Sequence, residues 1–483
     1  MHGRGARRHG YPPPAWRAPD REGLMTVDLA IIGAGPAGMA AARVAAEGGL
    51  RVTLLDEQNR PGGQIYRNIA TAAEWGWLGN DYARGVDLIH GLNHQLITHQ
   101  PRATVWRIDS DQGIIWSRDG QSHVTTAAQI LLATGAQERP VPFPGWTLPG
   151  VMPAGAAQVL MKQSGMVPCD AILAGAGPLL YLVAAQMIEA GSPPQALIET
   201  DVDLLRALPR LPRAVPGAKT LAKGLGLIRR IRAAGVPRYR GAKDLRAAQV
   251  QDGQVAVSFS TRRGRQKLTS SLLLTHLGVI PQTHLARAMG LRHVYDHAQQ
   301  AWRPSLSRWG QSSIENVFVA GDGGGIGGAD AARAQGALAA IEILHRAGRL
   351  DAAERDHRAR PLRRSLSRSL SVRPFLDAAY PVPPDFLAPA DETIVCRCEE
   401  VTARAIRDAL ADGAHGMRLM RTTLRTGMGP CQGRMCEATV SGLIAEATGR
   451  DPSMIGPGRA RSPVKPVTLA EIASLGLHPE ENS

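Results

Sequence analysis

Two strand–glycine–helix units in series, an apolar strand ending in Gly-Asp, and four cysteines near the C-terminus predict an α/β protein. The expected architecture is two interleaved Rossmann-like nucleotide domains with a small helical domain appended.

The first unit runs from Asp28 to Arg67. Leu29–Ile32 is an apolar run that reads as a buried parallel strand. Gly33, Gly35 and Gly38 follow in G-x-G-x-x-G spacing. The first permits a tight turn, the second lets the backbone approach a pyrophosphate, and the third lets the next helix pack close. That helix presents free N–H groups at its start. A second strand, Val52–Leu55, ends on Asp56, placed to accept hydrogen bonds from a ribose. A glycine triplet alone also fits an ordinary turn; with strand, helix, strand and terminal acid it points to a dinucleotide. In Pro61–Gln64, Gly62 and Gly63 suggest a loop passing close to the cofactor, with Gln64 as a polar contact. No cysteine follows, which excludes the dithiol of flavin disulfide reductases.

Residues 70–125 read as a helix and short strands, including Ala103–Ile108 and Gly113–Ser117. The strand Ala128–Leu132 leads into Ala133-Thr134-Gly135, matching a turn that returns to an FAD pyrophosphate. Pro144-Gly145-Trp146 and Pro149-Gly150 mark a crossover and a boundary near residue 150. A second unit repeats the first. Strand Asp170–Ala174 precedes Gly175-Ala176-Gly177-Pro178-Leu179-Leu180, and Glu199 ends the next strand. Leu180 stands where the third glycine belongs. It pushes the helix from the turn and narrows the room for a pyrophosphate, so the fold is expected to persist while NAD(P)H binding is doubtful.

Residues 200–250 are Arg- and Leu-rich, read as helices with Pro-marked turns. Strands Gln254–Ser260 and Gln266–Thr275 come next, and His276 could serve as a ligand or acid/base group but reads as a structural residue at a strand end. Asn316–Ala320 is an apolar strand ending in Gly321-Asp322, ahead of an Ala-rich helix, Ala329–Leu344. Asp322 can cap a helix. Behind the two earlier motifs it reads as the acceptor for a ribityl hydroxyl of FAD. A basic helical segment and the Pro-rich Tyr380–Pro389 form a linker.

The last module opens with Cys396 and Cys398 and continues, after 32 intervening residues, with Cys431 and Cys436. Four thiolates are a usual ligand set for a [2Fe–2S] cluster. The rival is structural zinc, whose ribbons and fingers pair cysteines as C-x₂₋₄-C, unlike this C-x-C opening. Thr402–Gly413 reads as an amphipathic helix capped by Thr402, and another helix follows Cys436. Cys169 is expected to be a small buried apolar residue.

The 483 residues suffice for roughly three domains. The net charge of +14 is mostly arginine, with six lysines, concentrated in residues 1–24, Arg206–Arg246 and Arg358–Arg373. These stretches lack interleaved aromatics and nucleic-acid motifs, so no nucleic acid is expected. A solvated Arg-biased surface is favoured over a docking face for an acidic protein. No transmembrane segment is visible: the apolar run Leu179–Ile188 is too short. The N-terminus carries Pro12-Pro13-Pro14 and no apolar core, unlike a secretory signal. Residues 1–24 are expected to be a disordered tail or an upstream misassigned start. Cysteines clustered in pairs argue for a reducing compartment.

From Met25 onward the chain resembles the FAD-containing α (A/B-type) subunits of bacterial amine-oxidising complexes: opine oxidase, hydrogen cyanide synthase, and D-hydroxyproline and related proline dehydrogenases. The resemblance rests on Pro61-Gly62-Gly63-Gln64-Ile65-Tyr66-Arg67, the Gly175–Leu180 variant and the four cysteines. The last module is similar to the bacterioferritin-associated-ferredoxin-like [2Fe–2S] domain. The resemblance implies a glutathione-reductase-like fold and a partner β subunit, similar to D-amino-acid oxidases, that dehydrogenates the C–N bond. It also allows for a small ferredoxin-like subunit. This chain would relay electrons through FAD and the cluster, in the cytoplasm, with any inner-membrane contact made through its complex. No catalytic acid or base is identified. The expected domains are a basic tail (1–24), an FAD domain in two parts (25–150 and 276–350), a degenerate nucleotide fold (151–275), a linker (351–390), a cluster domain (391–450) and a C-terminal tail (451–483). Two rivals remain: an NAD(P)H-dependent flavin iron–sulfur reductase using Gly175, Gly177 and Glu199, and a non-enzymatic scaffold with a zinc site.

Overall fold

The computed structural model describes residues 26–72, 75–109, 112–200 and 202–475. The expectation for residues 1–24 lies outside them.

Strand β1 (Thr26–Ile32) feeds helix α1 (Pro36–Glu47) and pairs in parallel with β2 (Val52–Asp56), Leu29 opposite Val52. β3 (Ile97–Pro101) extends that edge in parallel. On the other side, β4 (Thr104–Ile108) and β5 (Gly113–Arg118) form an antiparallel meander with β6 (Gln121–Leu132). β6 lies beside β1 and has two neighbours in succession on its other side. Gln121–Thr126 pair with β5, and Ile130–Leu132 pair in parallel with the late strand Val317–Val319. The sheet runs β3-β2-β1-β6-β5-β4, with Val317–Val319 on β6. Its central strands are apolar on both faces, because α1 and helix Ala329–Arg346 cover one side and other elements the second.

The second sheet is parallel throughout. Its order is Arg238–Arg240, Ala196–Glu199, Ala171–Ala176, Leu272–Leu277, Val151–Pro153. A three-stranded antiparallel sheet lies beside it in sequence, built from Lys243–Gln249, Val255–Thr261 and Gly264–Ser270. The single strand expected over Gln266–Thr275 is in fact two strands in different sheets. Ser271 breaks it, with its N–H and hydroxyl both turned to Asp170. Residues 238–240 and 243–249 are strand rather than helix.

The chain returns to the first sheet, then runs through helices Ala352–Leu370 and Arg373–Ala379 to the cysteine module. There the hairpin Ile394–Cys396/Val401–Thr402 packs on helices Ala403–Ala411, Met417–Leu424 and Glu437–Thr448 around a core including Ile406, Met420, Val440 and Leu443. The Thr402 hydroxyl accepts from the Ala405 N–H, capping its helix.

Candidate functional site

The Gly33–Gly38, Asp56, Thr134-Gly135 and Gly321-Asp322 turns lie at the C-terminal ends of β1, β2, β6 and Val317–Val319. In a parallel sheet that edge is where ligands bind. The turns converge through backbone contacts. The Gly62 N–H donates to the Ala34 carbonyl at 2.8 Å, docking the Gly62-Gly63 loop on the β1 turn. A Cβ on Gly63 would lie 2.9 Å from the Gly35 Cα, whereas one on Gly35 would meet only the Gly63 Cα, at 3.9 Å. Gly35 thus borders open space, uncapped, at the start of α1. Gly38 is required by packing: its added Cβ would sit 1.9 Å from the Gly33 carbonyl oxygen. An open backbone gap at a helix N-terminus fits a pyrophosphate.

Asp56 is buried at the end of β2. One carboxylate oxygen accepts from the Ala34 N–H at 2.6 Å and the other from the Gln58 N–H at 2.7 Å. Burial pushes its pKa up, against the opposing pull of those two N–H groups. Thr134 donates to the Gln282 carbonyl at 3.0 Å, and the Gln282 N–H returns to Gly135. A Cβ on Gly323 would stand 3.2 Å from the Thr134 hydroxyl, so the Gly321-Asp322 turn closes over the Thr134-Gly135 turn. One Asp322 oxygen accepts from the N–H groups of Gly327 and Gly328, at 2.8 and 2.9 Å, just before helix Ala329–Arg346. The structure therefore brings Gly33, Gly35, Gly38, Asp56, Gly63, Thr134, Gly135, Gly321 and Asp322 together. Gln64 lies in the same loop, but its carboxamide oxygen accepts from Arg67 at 3.0 Å.

Lys162 is a buried cation that the sequence does not single out. It is 3 % exposed, beneath the Gly62–Gln64 loop, and donates to the Gln64 carbonyl at 3.1 Å and the Gln158 carboxamide at 3.0 Å. The Tyr82 ring lies 6.0 Å from its ammonium. Burial, with Arg67 nearby, lowers its pKa to about 7. A lone lysine in an apolar helix carries no sequence signal for this.

In the second nucleotide unit, the residues a dinucleotide would use are already engaged. Glu199 is 2 % exposed and takes two hydrogen bonds from Arg238, at 2.6 and 3.0 Å, and one from the Tyr181 hydroxyl at 2.6 Å. The His276 ring stands 3.4 Å from where a Gly177 Cβ would be, and its Nδ1 pairs with Glu138 at 2.5 Å. His276 is buried at the end of its strand, Leu272–Leu277. Leu180 is fully buried in the core beside Leu173 and Val183.

The four cysteines of the last module form two pairs. Cys396 and Cys436, both buried, are hydrogen-bonded to each other, and Cys398 faces Cys431. The Cys436 hydrogen bond, helped by the N–H groups of Gly427, Glu399 and Cys398, lowers the Cys396 pKa to about 6. The same contact pushes Cys436 up. Backbone N–H groups aimed at sulfur suit bound thiolates. Among the described residues, no group of three or more His, Cys, Asp or Glu converges on one metal-ion position. Cys169 corrects an expectation: it is exposed, in the loop before Ala171–Ala176, where no core reaches it.

The module is joined to the flavin edge through His284. Its Nδ1 meets the Gln282 carboxamide at 3.1 Å and its Nε2 the Gln432 carbonyl at 3.0 Å, one residue from Cys431. Burial, with Arg287 and Arg434 nearby, pushes the His284 pKa well down and favours the neutral ring. Arg287 pairs with Glu437 at 2.5 Å across the same contact.

Residues 27–336 match the pyridine nucleotide-disulphide oxidoreductase family, and residues 390–475 match the sarcosine oxidase A3 domain. The chain is similar to the A-type subunit of opine oxidase from Rhizobium meliloti, at 42% identity over 93% of this chain and 87% of that one. It is similar to hydrogen cyanide synthase subunit HcnB of Pseudomonas protegens, at 33% identity over 92% of this chain and 97% of that one. The solved L-proline dehydrogenase from P. horikoshii has the same fold, with a TM-score of 0.69 at 19% identity, covering 93% of this chain and 80% of that one. On this likeness, and with no cysteine in its Gly62-Gly63-Gln64 loop, the chain belongs to the pyridine nucleotide-disulphide oxidoreductase family of FAD-dependent oxidoreductases, in the group that holds HcnB and the A-type subunits of opine oxidase.

Proposed function

We propose that this chain is the electron-transfer α subunit of a heteromeric dehydrogenase or oxidase acting on an opine, amino acid or related secondary amine, and that it carries FAD and a [2Fe–2S] cluster. The observation that carries the reading is the junction of a nucleotide edge and a four-thiol module across a polar seam that includes His284 and the Arg287–Glu437 pair. Gly33, Gly35, Gly38 and Gly63 would leave room for the FAD pyrophosphate. Asp56 would receive a ribose hydroxyl, and Asp322, beside Gly321, a ribityl one. Thr134 and Gly135 close the site, with Gln64 on its loop. Cys396, Cys398, Cys431 and Cys436 supply four thiolates, the number such a cluster takes. When bound, the flavin supplies two-electron uptake with one-electron release, and the cluster one-electron acceptance.

The same reading assigns C–N bond dehydrogenation to a D-amino-acid-oxidase-like β subunit, with room for a small ferredoxin-like subunit. No described helix is long and apolar enough to cross a membrane. The cytoplasm suits five free thiols, and any inner-membrane contact made through the complex is compatible with this reading. The engagement of Glu199 by Arg238 and Tyr181 argues against a working nicotinamide site.

The test is an anaerobic visible spectrum of the purified full chain before and after NADH, with iron, zinc and FAD analysis. Flavin bands plus iron–sulfur absorbance, unchanged by NADH, are expected, with amine oxidation only once the β subunit is added. Prompt bleaching by NADH would replace this reading with the reductase. Zinc without iron, or full-rate amine oxidation by the isolated chain, would end the relay assignment.

A further inference from the structure

The turns over residues 204–217 are built inside out, while the helix that follows keeps Ile231 buried. The segment consists of short helical turns, Leu204–Ala207, Leu208–Arg210, Leu211–Ala214 and Val215–Gly217, followed by helix Ala218–Ala233. A surface helix ordinarily buries its leucines and shows its small residues. Here the fully buried residues of the turns are Ala207 and Ala214, and Gly217 is packed so closely that a Cβ would lie 2.4 Å from Val372. Leucines face water instead. Leu205 is 81 % and Val215 65 % exposed, and Leu204, Leu208, Leu211 and Leu225 are exposed as well. These six are drawn from the 16 exposed large apolar side chains among the described residues, and they fall within 22 positions. The prolines at 209, 212 and 216 keep the turns short.

The charge is as one-sided as the apolar exposure. From residue 204 to 243 there is no acidic residue, while eight basic ones fall between Arg206 and Arg232. Arg206, Arg213, Lys219, Arg229 and Arg232 are exposed between the leucines. The segment contains no aromatic residue. A protein–protein interface core favours aromatic side chains, and this face has none. Isolated leucines interleaved with arginine and lysine suit the boundary of an anionic bilayer, where apolar tips enter the acyl region and cations meet phosphate.

We propose that this face, residues 204–232, docks the chain directly and reversibly on an anionic lipid surface, lying on it rather than crossing it. The inference goes beyond the electron-relay reading and does not depend on it.

The test is flotation of the full, flavin-loaded chain with vesicles of phosphatidylcholine alone and of phosphatidylcholine mixed with phosphatidylglycerol. Binding is expected only to the mixed vesicles, falling at least about tenfold on raising salt until exposed charges are screened. The double variant Leu205→Glu/Leu208→Glu and the charge variant Arg206→Glu/Arg213→Glu should each lose at least about tenfold in binding while keeping flavin absorbance and melting temperature. Absence of binding to mixed vesicles, equal binding to phosphatidylcholine, or wild-type binding by both variants would overturn the proposal. So would hydrogen exchange showing residues 204–232 already covered by a protein subunit in the lipid-free complex.

Discussion

Lys162 places a titratable group where the chain offers it no carboxylate. Its ammonium is met by two carbonyl-type oxygens and the Tyr82 ring, all neutral, so burial disfavours the charged form. The folded pKa of about 7 lies below the ordinary lysine value of 10.5. Between those values the unfolded chain holds the proton and the folded chain does not, so stability rises with pH across that window. Below the folded pKa both states are charged and the gain is absent. Lys162→Met should flatten this rise, removing a slope of up to about 1.4 kcal/mol per pH unit. Denaturant midpoints for both proteins from neutral to alkaline pH provide the check; parallel profiles would sink the idea. The lysine also holds the Gln64 carbonyl, so the variant should retain FAD less tightly.

The crossing of α1 with helix Ala329–Arg346 is set by one missing side chain. A Cβ on Gly336 would lie 2.0 Å from the Ala37 carbonyl oxygen, which is backbone and cannot rotate away. Ala37 and Gly38 open the helix whose N-terminus faces the pyrophosphate gap, so strain here moves the site. Gly336→Ala is expected to cost at least about 2 kcal/mol by overpacking and to lower the FAD-to-protein absorbance ratio. Gly224 supplies the contrast. It lies within helix Ala218–Ala233 with nothing inside 4 Å of its added Cβ, so Gly224→Ala should stabilise by up to about 1 kcal/mol. Thermal melting of both variants separates helix propensity from close packing.

At the scale of the molecule, the cysteine module and the nucleotide core share a buried polar seam. Arg287 donates to Glu437 at 2.5 Å and to the Gly458 carbonyl at 2.9 Å, with side chains only 6% and 15% exposed for the ion pair. Arg287→Met leaves Glu437 buried without its cation and should cost about 3 kcal/mol. The double variant with Glu437→Leu should recover most of that loss, because neither charge then remains to be solvated. Denaturant unfolding of the three variants tests the pair as a cycle. A fully additive double variant would show that the seam does not depend on it.

The sequence by itself determined the parallel nucleotide fold and most of its edge. Glycine spacing, apolar strands and strand-end acids are local requirements, and Gly38 is glycine because any Cβ would meet the Gly33 carbonyl. The helix after Thr402 was equally legible, since its cap lies three residues from its partner. Only the tertiary structure decided what distant residues do to one another. It buried Lys162 under a loop 98 residues away, engaged Glu199 with Arg238, and left Cys169 in water. It joined His284 to Gln432 across 148 positions and turned Leu204, Leu205, Leu208, Leu211 and Leu225 outward. Burial and pairing depend on which surfaces meet, and helix or strand periodicity says which face is apolar, not what will cover it.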